Sequence, residues 1–171
     1  ALLASLDGEA PTDLRVNTLK TNLEEAVAAL AGEEVEAVPT LLSPIGLRLD
    51  SRVNLPATKV FRDGLVEVQD EGSQLVALLT DAKPGLAVCD FCAGAGGKTL
   101  GLAARMENKG RLTACDVSAG RIDRSAQRLK RAGVHNVTRH VLSSEHDKWV
   151  KRHKGTYDRV LVDAPCTGSG T

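Results

Sequence analysis

The sequence predicts an α/β fold in which a parallel sheet with helices on both faces follows a small α+β unit. Three observations predict it. From residue 66 to 171, short apolar runs alternate with helical patterns, which argues for βαβ units with right-handed crossovers. From residue 1 to 65, the order is strand, helix, then several strands, punctuated by Pro39, Pro44, Gly46 and Pro56. Finally, Asp90, Asp116 and Asp163 each stand where an apolar run stops, at the sheet end where ligands of such folds bind.

In the first unit, DLRVNTLK is a strand candidate. TNLEEAVAALAG predicts a helix, with Thr21 and Glu24 as a capping-box pair, Leu23, Ala26, Val27 and Leu30 on one face, and Gly32 at its stop. VEAVP, GLRLD and GLVEV read as strands.

In the second unit, QDEGSQLVALLTD predicts a helix that runs into Lys83-Pro84-Gly85. LAVCD is a strand, and GGKTLGLAARM a helix opened by a glycine loop. RLTACD is the second strand. SAGRIDRSAQRLKRAG is a helix with Ile122, Ala126 and Leu129 inward and Arg121, Arg124, Arg128 and Arg131 outward. NVTRHVL, SSEHDKWVKRHK and YDRVLVDAP complete the pattern as strand, helix and fourth strand.

Composition bounds the function. Apolar residues make up 42% and charged residues 26%, enough for a packed core and too few charges for a disordered chain. No apolar run approaches the roughly 18–20 residues of a membrane span. ALLASLDGEAPTD has no basic region and is not read as a secretory signal. The net charge of zero hides an asymmetry: residues 1–104 carry 8 Lys/Arg against 15 Asp/Glu (−7), residues 105–159 carry 14 against 6 (+8), and Asp163 closes the sum. A basic segment beside an acidic one suits a polyanion on one face, or a solvated charged face of two helices.

Cys89 and Cys92 form a C-x-x-C, but no second pair or His pair follows at ligand spacing, so no metal site is expected. Unpaired thiols suit a reducing, cytoplasmic setting.

DFCAGAGGKT, residues 90–99, has two readings. A phosphate loop needs G-x-x-x-x-G-K-[ST], and its first glycine would fall at Cys92. A phosphate-loop NTPase fits otherwise, with VLVDAP as the strand that ends in a magnesium-binding acid. The alternative ligand is a sulfonium amino acid on a ribose. It needs a tight strand-to-helix turn, supplied by Gly94, Gly96 and Gly97, and an acid for the ribose hydroxyls at the next strand's end. Asp116 lies twenty residues beyond Gly96, in that position. DAPCTGSGT breaks the tie. Carbon 5 of a pyrimidine is a poor nucleophile until a thiolate adds at carbon 6, and a nearby acid can hydrogen-bond the ring edge at N3. Cys166 beside Asp163 suits that chemistry.

PTDLRVNTLK, VQDEGSQLVA, DFCAGAGGKT and DAPCTGSGT, in that order, resemble the motifs of the NOL/NOP/Sun family of RNA cytosine-5 methyltransferases, closest to its bacterial ribosomal-RNA members. The resemblance implies a small RNA-binding domain over residues 1–65 and, over 66–171, the first half of a Rossmann-like S-adenosylmethionine-dependent methyltransferase domain. Cys92, Ala93, Gly94, Ala95, Gly96, Gly97 and Lys98 would line S-adenosylmethionine, Asp116 would hold its ribose, and Asp163 would sit between cofactor and cytosine. The family's nucleophile comes from a later Thr-Cys motif, while the Asp-Ala-Pro-Cys thiol, here Cys166, assists product release.

Three departures follow. Gly94-Ala95 replace the usual Ala-Pro of the loop. Ser143-Ser144 stand where the family offers an acid near the adenine, leaving Glu145 as the acid or one serine as a helix N-cap. No cysteine follows Cys166, so the sequence reads as a piece of a longer enzyme, expected to contact cofactor without turning over alone. A non-catalytic RNA-binding module with a relic cofactor pocket is the further alternative.

Arg121 to Arg131 with Lys148, Lys151, Arg152 and Lys154 offer a basic face to RNA phosphates. His135, His140, His146 and His153 are expected to be solvated or capping, and Trp149 to pack at the core boundary. Arg15 and Asn17 suit either a domain junction or RNA.

Overall fold

The structure, a computed structural model, describes residues 11–164; the Cys166 expectation lies outside them. The described residues form two four-stranded sheets. The first contains β1 (Asp13–Val16), β2 (Ala37–Pro39), β3 (Gly46–Leu49) and β4 (Val66–Val68), in the order β2-β3-β1-β4 with every neighbouring pair antiparallel. Its edge strand β4 runs past residue 65, the division expected from sequence, because Val66–Val68 pair with Leu14–Val16.

Helix α1 (Leu23–Ala31) covers one face of this sheet. Ala26 and Leu30 are buried with Leu14, Val16, Leu47 and Val66, and Leu23 and Val27 flank them. The cap sits one residue later than the sequence suggests. Asn22 Oδ1 accepts from Glu25 N at 2.9 Å, and Thr21 Oγ1 donates to Glu25 Oε2 at 2.9 Å. An asparagine reaches the third amide of the helix as well as threonine does, so the capping role passes to it. The short helix α2 (Lys59–Arg62) closes this unit.

The second sheet holds β5 (Ala87–Asp90), β6 (Arg111–Asp116), β7 (Val137–Val141) and β8 (Arg159–Leu161), in the order β7-β6-β5-β8 and all parallel. Helices α3 (Glu71–Leu79), α4 (Gly97–Arg105) and α5 (Ala119–Ala132) accompany it. Helix α4 is packed so fully that every residue from Thr99 to Ala104 is buried. Gly101 makes this possible, since a Cβ there would stand 3.2 Å from Ala77 Cβ on α3. Among the described residues β8 is an edge strand, with Val160 on it and Val162 just past it both more than half exposed.

The two sheets meet along a polar junction. Asn17 Nδ2 donates to Gly64 O at 2.8 Å and to Ala132 O at 2.9 Å, and Arg15 Nε donates to Gln69 Oε1 at 2.7 Å. Both residues are buried, so they serve the junction. Arg128 and Arg131 correct the helical-wheel expectation. They turn from solvent to pair with the buried Glu67 of β4, Arg128 at 2.8 Å. In α5, Ser125 is buried more deeply than Ala126.

Helix α6 covers only Lys148–Arg152, capped by Asp147 rather than by Ser143 or Ser144. Ser143 is engaged instead in donating from N and Oγ to Asp147 Oδ2, and these bonds hold the Asp147 carboxyl well below the ordinary carboxylate range. Trp149 packs against buried Cys89, Cys115 and Leu142, as a boundary residue should. His153 caps α6 as one of the expected alternatives, its Nδ1 lying 2.8 Å from Trp149 O, whereas His140 is neither solvated nor capping. They stack on Trp149 with centroids at 4.8 and 4.0 Å.

Asn17→Ala leaves two buried carbonyls, Gly64 O and Ala132 O, without their donor. A stability loss of about 1–3 kcal/mol is expected. Denaturant unfolding monitored at Trp149 measures it, and an unchanged midpoint contradicts the junction assignment.

Candidate functional site

The parallel order of β5, β6 and β8 brings Asp90, Asp116 and Asp163 to one end of the sheet. After Asp90 the chain turns into α4 through a loop that needs two left-handed residues, Gly94 (φ 56°) and Gly96 (φ 86°). Gly96 caps α4, and a Cβ there would lie 3.0 Å from Ser125 Cβ, so both backbone and space require glycine. Over Gly94 there is open space to at least 4 Å.

The loop is tied down on three sides. Ala93 N donates to Cys115 O at 2.8 Å and Gly94 N to Asp116 Oδ2 at 2.8 Å. Arg128 Nη1 donates to Ala95 O at 3.1 Å. The other Asp116 oxygen accepts from Ser118 N at 2.8 Å. Each oxygen of that carboxylate retains acceptor capacity beyond these bonds.

A cavity of about 780 Å³ opens above this loop. Of the residues singled out from sequence, Cys92, Ala93, Gly94, Gly97, Lys98, Asp116 and Asp163 line it. Ala95 and Gly96 do not: Ala95 presents its carbonyl to Arg128, and Gly96 is buried against Ser125. Lys98 Nζ reaches Asp163 Oδ2 at 2.6 Å and Ser73 Oγ at 3.3 Å. Asp70, Ser73, Arg121, Arg128 and Glu145 also line the cavity. Sequence analysis assigned no role there to Asp70 or Ser73. Their signal was the Asp70 cap of α3, whose carboxylate accepts from Gly72 N and Ser73 N. Of the two alternatives at residues 143–145, Glu145 is the one that faces the cavity.

Beneath the loop Asp90 is fully buried. Thr99 Oγ1 donates to its Oδ2 at 2.6 Å, while Oδ1 has no hydrogen-bond partner among the described residues. Burial pushes the carboxyl up to about 6, against the opposing effect of Thr99 and the Lys98 charge. Cys92 is also raised, first by burial and then by Asp116, Asp90 and Asp163, so it lines the cavity as a thiol and not a thiolate.

These electrostatics separate the two readings of the loop. A phosphate loop converges its amides on an anion. Here the Gly94 amide is taken by Asp116, and four carboxylates (Asp70, Asp116, Glu145, Asp163) face the cavity beside Lys98, Arg121 and Arg128. A polyphosphate would meet those carboxylates; a cationic sulfonium amino acid on a ribose suits them. Among the described residues no group of three His, Cys, Asp or Glu is placed to hold a metal ion, and Cys89, Cys92 and Cys115 are free thiols. No helix among them is long and apolar enough to cross a membrane.

Residues 77–171 match the family model of the 16S rRNA methyltransferase RsmB/F, and residues 1–56 match the ferredoxin-like domain of RsmF/B-like methyltransferases. The probable ribosomal RNA small subunit methyltransferase B of Bacillus subtilis is 32% identical over 157 residues, covering 92% of this chain and 35% of that protein. The tRNA (cytosine(49)-C(5))-methyltransferase of Pyrococcus abyssi is 33% identical over 159 residues, covering 92% of this chain and 50% of that one. A solved methyltransferase homolog from Pyrococcus horikoshii gives a TM-score of 0.84 at 33% identity, over 98% of this chain and 54% of that chain. The chain therefore spans between about a third and about half of these relatives' lengths.

The raised Asp90 carboxyl makes stability depend on pH. Between the unfolded value near 4 and the folded value near 6, the native state holds the extra proton, so its stability falls as pH rises through that window. Asp90→Asn should flatten this decline by on the order of 2–3 kcal/mol. Parallel denaturant titrations from pH 4 to pH 7 measure the difference between variant and parent; identical slopes contradict the assignment.

Proposed function

The chain belongs to the 16S rRNA methyltransferase RsmB/F family, and from that premise we propose that its cavity holds S-adenosylmethionine for methylation of carbon 5 of cytosine in RNA, with ribosomal RNA as the substrate class. One observation carries the reading: the glycine loop, open over Gly94, and the strand-end carboxylate Asp116 that accepts from its Gly94 amide line the same cavity side by side. The bound cofactor supplies an electrophilic methyl group.

The residues have separable tasks. Backbone at Gly94 and Gly97 allows close approach of the methionine portion, and Cys92 and Ala93 form the adjacent wall. Asp116 accepts from the ribose hydroxyls with its remaining lone pairs. Glu145 takes the place of the acid on the adenine side. Lys98 holds Asp163 through Oδ2 at the cavity, where Asp163 meets the edge of the cytosine. The target base must leave its stack to reach this position. Activation of carbon 5 requires a thiolate at carbon 6, which the protonated Cys92 does not supply. The resemblance assigns the Asp-Ala-Pro-Cys thiol, Cys166, to product release. The first sheet, through β4, is the RNA-binding unit of this reading and the second sheet its cofactor unit. The free, largely buried thiols support a cytoplasmic location.

Calorimetric titration with S-adenosylhomocysteine tests the proposal. Saturable binding is expected, weakened at least about tenfold by Asp116→Ala, corresponding to one lost charge-assisted hydrogen-bond set. Binding of ATP with magnesium in its place, or indifference to Asp116→Ala, contradicts it.

A further inference from the structure

The cofactor cavity has a neighbour at Arg128. A second cavity of about 510 Å³ shares Val68 and Arg128 with it and continues past Glu67, Gln127 and Arg131 to Phe61. A third, of about 460 Å³, shares Phe61, Gln127 and Arg131 with the second and reaches Arg62 and Lys130. Their shared lining residues set the three in a row, a segmented furrow between α5 on one side and the α2–β4 region on the other.

We propose that this furrow carries the single-stranded RNA flanking the target nucleotide into the cofactor cavity. The inference rests on the reading of that cavity given above.

Charge supports this occupant. Four cations line the two outer cavities (Arg62, Arg128, Lys130, Arg131) against one acid, Glu67, a balance of +3. Glu67 is buried under Arg128 and Arg131. Arg62 and Lys130 are exposed on the outer stretch, where backbone phosphates would pass.

The furrow also offers a stacking surface. The Arg131 guanidinium lies 3.6 Å from the centroid of the Phe61 ring and is fixed from the side by Glu67. Guanidinium groups and aromatic rings are recurrent stacking partners for the unstacked bases of single-stranded RNA. Gln127 beside it carries donors and an acceptor for base edges. An acidic protein segment would use the cations but not the platform. A duplex would keep its bases out of reach.

Fluorescence anisotropy of a labelled single-stranded oligoribonucleotide, titrated at several salt concentrations, tests the proposal. The parent is compared with the double variant Arg62→Ala/Lys130→Ala and with Lys148→Ala/Lys151→Ala on α6, whose lysines do not line the furrow. Loss of two phosphate contacts should lower the slope of log affinity against log salt by about 1.4 in the furrow variant only. Affinity for S-adenosylhomocysteine should be unchanged in both. An effect confined to the α6 variant overturns the furrow and leaves the cofactor reading standing, as does absence of RNA binding by a parent that binds S-adenosylhomocysteine. Displacement of the RNA by polyglutamate at equal charge concentration, or by duplex as readily as by single strand, overturns it in favour of another polyanion. Failure of S-adenosylhomocysteine to bind the parent counts against the cofactor reading itself.

Discussion

A buried carboxylate, Glu67, is the charged centre of the junction that ties the two sheets of this protein together. It is drawn from the first sheet's edge strand and lies between two arginines of α5 in the second. Arg15, fully buried close by, is lowered to about 10, first by burial and then by the charge of Arg128. Two guanidiniums are thus paired with one acid, with the third, on Arg15, turned to Gln69. Removing one partner of such a pair leaves uncompensated buried charge, which typically costs about 3–5 kcal/mol. The arrangement is therefore a fixed point and not a decorative surface pair. Because Arg128 also donates to Ala95 O, the fixed point extends into the glycine loop.

The site inherits its geometry from that attachment. The loop is fastened on one side by Arg128, on another by Asp116 through Gly94 N, and beneath by Cys115 O through Ala93 N. What remains unfastened is the open space over Gly94, facing the cavity. Charge then selects the kind of ligand. Carboxylates gathered at the parallel strand ends favour a cation on a ribose over a polyphosphate, in line with the family to which the chain belongs. The same helix that anchors the loop lines the proposed furrow, so in this reading cofactor and RNA approach one structural element from two directions.

Much of this was legible in the residues. Apolar runs bounded by acids located β5, β6 and β8, and the glycines announced the turn, because both signals are local. The roles of Arg128 and Arg131 were not legible. Helical spacing tells which face of α5 is polar, but not whether that face meets water or an acid brought from β4 sixty residues earlier. The Asn22 cap and the short α6 were missed for a related reason. Several neighbouring side chains can satisfy the same amides, and only the three-dimensional path shows Asn22 and Asp147 prevailing over Thr21 and the serines. The unpartnered oxygen of Asp90 likewise depends on packing around the strand end, which no spacing encodes.

The most direct measurement is the affinity of Glu67→Gln for S-adenosylhomocysteine. Glu67 does not line the cofactor cavity, so direct contact cannot transmit the change. If the junction positions the loop through Arg128, affinity falls several-fold while circular dichroism still reports a folded protein. Unchanged affinity in a folded variant would show that the loop keeps its shape without the buried carboxylate, and would contradict the account.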